Sequence, residues 1–311
     1  MEIKMDINFH IPDFLKHFRL NLVLMTTMRS NPEWFRDGVK IASVYGAFPP
    51  SLWNGGRAAL GAVDERTIRE VLNTYNKEGI PCRFTFTNPV IREEHLNDPF
   101  CNAVMRIADN GLNEVIVNSP LLEDHIRKNY PNYKITSSTC KQIRDPEELK
   151  AELEKDYNLV VLDYNWNNNF EFLESVPYKE KCELLINACC EPNCKRRGEH
   201  YRIIGEEQIK FSEHMRQPAA LRTPYKQAEF TCPSTRLHLY ETIGFSTHIN
   251  PDDLYNKYVP MGYRHFKIEG RTVPDINVLE NFVYYMVKPE FKDHARLEML
   301  GKLAANVKYF K

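Results

Sequence analysis

Short apolar runs alternate with longer stretches of helical periodicity along most of this chain. Eight runs read as strands: VKIASVYGAF (39–48), PCRFTFTN (81–88), NEVIVNSP (113–120), YKITSSTC (133–140), YNLVVLDYN (157–165), CELLINACC (182–190), ETIGFSTHIN (241–250) and YRHFKIEG (263–270). Between them lie helix-like segments such as DERTIREVLNTYNKEG, LLEDHIRKNY and PEELKAELEKD. Asp64 and Gly79 stand where an N-cap and a C-cap belong, and Asp145-Pro146 and Asn250-Pro251-Asp252 are helix starts of the same kind. Eight strands with intervening helices predict the α/β class and a parallel sheet, and the count favours a closed, TIM-like (β/α)8 barrel. The stretch 195–240 is too long for one crossover, so it is expected to hold a helical insertion after strand six, or a lid over the active face. Residues 1–38 are expected to form an N-terminal extension packing on the barrel, and 39–311 to form that barrel as a single domain closed by the helical stretch 273–309. Neither a repeat nor a low-complexity segment interrupts it.

Composition changes this picture little. Lys and Arg number 41 against 42 Asp and Glu, a net charge of −1, which argues against a nucleic-acid coat or a polybasic membrane surface. A nucleic-acid substrate held in a small local patch stays compatible with it. With 42% hydrophobic and 27% charged residues the chain is of ordinary globular make-up. No apolar run approaches the roughly 18 residues of a membrane span, and the start MEIKMDINFHIPDF lacks the apolar core of a signal peptide. A cytoplasmic protein is expected, whose eight cysteines are free thiols rather than four disulfides.

Cysteine spacing carries more than cysteine number. In a barrel of this kind the chemistry sits at the C-terminal ends of the strands. Cys182 and Cys190 bracket one strand and lie roughly 26 Å apart at strand rise, so they cannot share a metal. Cys182 and Cys82, at strand starts, are therefore structural. Cys189, Cys190 and Cys194 crowd into ACCEPNC on the active face, and Cys232 follows 38 positions after Cys194. Pro192 and Asn193 favour a turn that would let both sulfurs of Cys190 and Cys194 converge. Such thiolates suit zinc or an iron–sulfur cluster, with Lys195, Arg196 and Arg197 offsetting their charge. Cys190, Cys194 and Cys232 are the firmer ligands; the fourth is Cys189 or Cys140. The bland alternative is a set of buried thiols beside a basic surface turn.

Two further constellations stand out. In His265-Phe-Lys267-Ile-Glu269-Gly-Arg271 the ionisable groups alternate, so a strand would turn all four inward, where they must be paired or used. They either fill the barrel as an ion-pair network or, at Glu269 and Arg271, bind an anion or substrate. The loop Trp53-Asn54-Gly55-Gly56-Arg57 combines glycines that permit close backbone approach with an arginine that can clamp a carboxylate or phosphate. Asn88, Asn118, Ser138 and Asp163 are candidate pocket polar groups, and His200 and Tyr201 follow the cysteine loop. The expected catalytic set is Glu269, Arg271, Arg57 and His200; Lys267, Asn187 and Tyr45 are expected to contact the cofactor; Cys189, Cys190, Cys194 and Cys232 are expected to hold the metal.

The phrases GYRHFKIEGRTV, YKITSSTCKQI and CELLINACCEPNCKRRGEHY resemble the collagenase-like peptidase family U thirty-two, over about residues 39 to 275. The first looks like that family's lysine-isoleucine-glutamate-glycine-arginine signature, and the last like its sixth strand running into a cysteine motif. The resemblance implies a TIM-like barrel. It also implies kinship with members that bind a 4Fe–4S cluster through four cysteines and support oxygen-independent hydroxylation of ubiquinone precursors, tRNA or ribosomal RNA, with prephenate implicated as an oxygen donor. By that resemblance Cys190 matches the cysteine ending strand six, Cys194 its partner and Cys232 the distal cysteine. The region before the pair is compressed here, so one cysteine position is lost or merged; if Cys189 does not fill it, one iron would be open to substrate. The function so implied is iron–sulfur-dependent redox chemistry on a small-molecule, nucleotide or nucleic-acid base substrate, by a homodimer or a heterodimer with a related barrel. The alternatives are a peptidase or other hydrolase with zinc, for which no G-x-S-x-G or H-E-x-x-H is present, and a non-catalytic scaffold stapled by metal.

Overall fold

Alternation of outward apolar and inward polar residues builds the strands of this protein, whose computed structural model describes residues 6–227, 232 and 238–305. Eight parallel strands follow one another in chain order around a closed barrel: β1 (Ile7–Pro12), β2 (Val39–Gly46), β3 (Cys82–Phe86), β4 (Glu114–Val117), β5 (Lys134–Ser137), β6 (Leu159–Val161), β7 (Cys182–Leu185) and β8 (His265–Lys267). Closure comes from β1, whose Asn8 pairs with Lys40 on one side and with His265 on the other. No sheet edge is left to protect.

Helices cover the outside: α1 (Phe18–Ser30), α2 (Glu65–Asn76), α3 (Pro99–Ala108), α4 (Pro120–Asn129), α5 (Pro146–Glu154), α6 (Phe170–Ser175), α7 (Arg197–Arg216), α8 (Asp275–Met286) and α9 (Lys292–Ala305). Most start at a short polar side chain that accepts an orphan backbone N–H. Asp64 caps α2 through Thr67 N at 2.8 Å, Asp98 caps α3 through Cys101 N at 2.6 Å, and Asp145 caps α5 through Glu147 N and Glu148 N. Pro99, Pro120 and Pro146 occupy first-turn positions that need no N–H. The apolar faces of these helices meet Phe9, Ile11, Val44, Phe84, Val115, Leu184, Phe266 and Ile268 in one continuous core.

Two expectations are corrected. Residues 1–38 are not an extension: they contain β1 and α1, the first βα unit of the barrel. INFHIP does alternate, but its polar inward residues resemble a surface strand, because the barrel interior here is itself polar. The run 241–250 is not a strand. Ile243 is half exposed, Leu239–Thr242 is a helical turn, and Asn250 caps a further helix at Pro251–Asp253. β7 pairs directly with β8, Glu183 facing His265 and Leu185 facing Lys267, so no slot remains between them. The helical insertion expected after the strand at Cys182 begins with α7; counting β1, that strand is the seventh. Among the described residues no helix is long and apolar enough to cross a membrane.

Candidate functional site

β8 is only three residues long, yet its alternation continues beyond it. Phe266 and Ile268 are fully buried in the core against the helices. His265 and Lys267 face the barrel axis, while Glu269 and Arg271 continue upward into a cavity of about 80 Å³ at the C-terminal ends of the strands. Tyr45 from β2, Thr85 from β3, Ser138, Thr139 and Cys140 after β5, and Tyr164 after β6 line the same cavity. Leu185 and Cys190 at the end of β7 and Tyr201 from α7 complete the wall.

Below the cavity the barrel is filled by charge. Arg83 lies fully buried, donating to Glu183 at 2.6 Å and to Thr136 Oγ1 at 2.9 Å, with Glu114 at 3.1 Å. His10 Nδ1 is 2.7 Å from Ser43 Oγ, and its Nε2 is 2.9 Å from His265 Nδ1. Lys267 Nζ is 3.3 Å from Glu183 Oε1 and 4.2 Å from the centre of the Tyr45 ring. Burial works against the Glu183 carboxylate, but Arg83, His10 and Lys267 together outweigh it and hold its pKa below the usual range. Burial likewise penalises the Lys267 ammonium; Glu183 only partly restores it, and Arg83 and Arg271 add repulsion, so its pKa falls to about 8. His265 is brought to about 4, mainly by burial, and is neutral at pH 7.

The rim is set by the β2–α2 loop. Gly55 packs so closely on β3 that a Cβ there would lie 2.4 Å from the Thr87 backbone, and Gly56 has φ +72°, which favours glycine. Both conditions hold Arg57 against Glu269, with which it forms an ion pair. Glu269 is fixed from the other side: its Oε2 accepts from Cys189 N at 2.8 Å, and its own N donates to Asn187 Oδ1 at 2.6 Å. Arg271 donates to Asn54 Oδ1 and Thr85 Oγ1, each at 2.9 Å, and to Gly55 O at 2.6 Å. All three acceptors are neutral. The carboxylate that acts on Arg271 is Asp13, without a direct hydrogen bond, and burial outweighs it, so the guanidinium pKa is lowered.

The cysteine loop turns as its spacing suggested: Asn193 has φ +56°, and Cys194 N donates to Glu191 O at 3.3 Å. Cys190 packs on Tyr164, Leu185 and Ala188 at the cavity wall. Burial raises its thiol pKa, and the neighbouring Cys194 raises it further. Cys189 instead turns into the wall, its Sγ 3.8 Å from Asn187 O, and burial with Glu269 nearby pushes its pKa well up. Cys232 is described, but residues 228–231 and 233–237 around it are not. Among the described residues no three His, Cys, Asp or Glu side chains gather as metal ligands. The four cysteines expected as ligands are thus not assembled into a metal site among the described residues. Arg197, expected to offset thiolate charge, is committed elsewhere: it forms a buried ion pair with Asp163 and stacks 4.5 Å from the Tyr164 ring centre.

Of the residues expected at the site, Tyr45, Arg57, Lys267, Glu269, Arg271 and Cys190 line one cavity, and Cys140 joins them. Asn187 stands behind Glu269 rather than in the cavity, also donating to Asn281 Oδ1 at 2.9 Å. His200 lies outside the lining, near enough to Arg57 that burial and that cation lower its pKa to about 4. Asn88 bonds the carbonyls of Leu52 and Gly205 instead of facing a ligand. Thr85, Thr87 and Tyr164 were missed by sequence reasoning; the alternation of Arg83, Thr85 and Thr87 along β3 was the available signal for the first two.

No family model and no curated protein matches this chain. Among solved structures, the U32 peptidase Mk0906 is 11% identical, with 88% of this chain and 96% of that one covered at a TM-score of 0.49. A GH113 beta-1,4-mannanase is 10% identical, with 96% of this chain and 99% of that one covered at a TM-score of 0.38. At these values neither likeness bears on the chemistry of the site.

Proposed function

We propose that this protein is an enzyme whose barrel mouth binds a small anionic substrate, a carboxylate or a phosphate, between Arg271, Arg57 and Lys267. One observation carries the reading: Arg271 is a guanidinium at the cavity wall whose protein acceptors are all neutral. A cation taken out of water is costly; Asp13 acts on Arg271 without a hydrogen bond to it and burial still prevails, so a bound anion supplies further counter-charge. Its fork is held by Asn54 and Thr85, so little ordering is left for a ligand to impose. Glu269 sits beside the same space as a carboxylate able to accept a proton, and the thiol of Cys190 faces it.

Calorimetric titration with inorganic phosphate and with succinate tests this reading. Arg271→Met keeps the side-chain bulk and removes the charge; it is expected to weaken binding ~10-fold or more, the scale of one charge-assisted hydrogen bond. Unchanged affinity would remove the assignment.

A second reading is iron–sulfur-dependent, oxygen-independent hydroxylation of a small molecule or nucleotide base. It is favoured by the closeness of Cys194 to Cys190, which lines the cavity. Cys190, Cys194 and Cys232 would hold the cluster, with Cys189 or Cys140 as fourth ligand, and the cluster would supply electrons. Anaerobic reconstitution should then give a brown protein with about four iron and four sulfide per chain, lost in Cys194→Ser. A colourless protein with one zinc would move the assignment to a hydrolase.

A further inference from the structure

The cavity floor holds an amine that the reading above uses only as a cation, not as a nucleophile. Lys267 is the last residue of β8 and lines the cavity although its side chain is only 10% exposed. Five charged or titratable groups face its amine. Glu183 from β7 is the carboxylate among them; Arg83 from β3, Tyr45 from β2, His10 from β1 and Arg271 from beyond β8 are the rest. Glu183 is shared, and Arg83 holds it more closely, at 2.6 Å against 3.3 Å for Lys267. The Tyr45 ring is fixed beneath the amine because its hydroxyl donates to Ile268 O at 2.5 Å. A lysine so placed is short of counter-charge and open on one side only, towards the space that Arg271 overlooks.

We propose that Lys267 forms an imine with a small 2-oxo acid whose carboxylate is held by Arg271. This rests on the anion-binding reading above and names its substrate class. The ammonium first yields a proton, and its nitrogen lone pair attacks the keto carbon while the C=O π pair moves to oxygen. The oxygen is protonated and leaves as water as the nitrogen forms C=N. Overall one ammonium and one ketone become one protonated imine and one water, with no oxidant or reductant. At pH 7 an amine of pKa about 8 holds roughly 300-fold more free base than a lysine at 10.5, so the step is accessible at neutral pH.

The full-length protein is incubated at pH 7 with pyruvate and sodium cyanoborohydride, digested, and mapped by mass spectrometry. A carboxyethyl group on Lys267, formed at least ~10-fold faster than on any other lysine, is expected; inorganic phosphate should slow it by occupying Arg271. Lys267→Arg keeps the charge beside Glu183 and should lose that adduct alone, while the wild-type map carries the result without any variant. Modification confined to other lysines, with phosphate binding intact in the calorimeter, overturns the imine and leaves the anion site standing. Absence of both the adduct and phosphate binding overturns the two together.

Discussion

Glu183 is the residue on which the barrel interior turns. Its carboxylate, wholly buried, accepts from Arg83 at 2.6 Å, lies 3.3 Å from Lys267 and is 3.5 Å from His10 Nε2. Breaking a buried pair by neutralising one partner leaves the other charge without compensation, which is far worse than never having had the pair. Glu183→Gln should therefore lose about 3–5 kcal/mol of stability in urea denaturation. A loss under ~1 kcal/mol would mean that Glu114 or water, not Glu183, compensates the buried cations. The alternation around His265 and Lys267 made four inward ionisable groups legible from sequence. It did not show which were structural. His265 and Lys267 meet partners on β1 and β7, 255 and 84 residues away in the chain, whereas Glu269 and Arg271 rise past the strands into the cavity.

Among the elements, α7 closes the site. It brings Tyr201 to the cavity wall, and Arg197 at its start pins it to Asp163 beyond β6. Near its middle, Gly205 lets it pass close to the end of β3: a Cβ there would lie 2.2 Å from Asn88 Oδ1, while Asn88 Nδ2 donates to Gly205 O at 3.1 Å. Helix propensity alone would make Gly205→Ala stabilising by roughly 0.5–1 kcal/mol. The close approach reverses the sign: the substitution should lower Tm and weaken phosphate binding together, by lifting Tyr201 from the wall. A variant more stable than wild type would show that α7 packs more loosely than the structure has it. Extra helical structure after the strand at Cys182 was legible from the length of 195–240. Its contact with Asn88 was not, since no local pattern links a glycine in one helix to an asparagine 117 positions earlier.

For the whole molecule, burial of neutral histidines sets the acid limit of stability. His10 is held well below its ordinary pKa, chiefly by burial, and His200, His248 and His265 are each brought to about 4. Below about pH 6.5 the unfolded chain takes up protons that the folded one refuses, so stability falls with falling pH. The carboxylates act lower down. Glu183 and Glu152 titrate below their ordinary value of 4.5 in the fold, Glu152 at about 2, because their cationic partners outweigh burial. The stability they contribute is complete above about pH 4.5 and is lost as pH falls further. Urea midpoints should thus decline from pH 7 towards pH 4 and more steeply below; a flat midpoint between pH 7 and pH 4.5 would contradict the neutral histidines.

Local rules account for much of this barrel. Caps at Asp64 and Asp145, the turn at Asn193, seven of the eight strands and the inward set on β8 all follow from spacings within a dozen residues. What needed the folded chain was every choice that depends on distant partners. INFHIP became a strand, and ETIGFSTHIN did not, because a barrel closes when its first and last strands meet and then has no place for another. Cys189 turned away from the cavity because its backbone holds Glu269, which in turn holds Arg57, 212 positions earlier. Periodicity and capping are short-range conditions that a sequence displays openly. Closure, burial of charge and the sharing of one carboxylate between two cations are conditions on the whole ring, and they take effect only when it is complete.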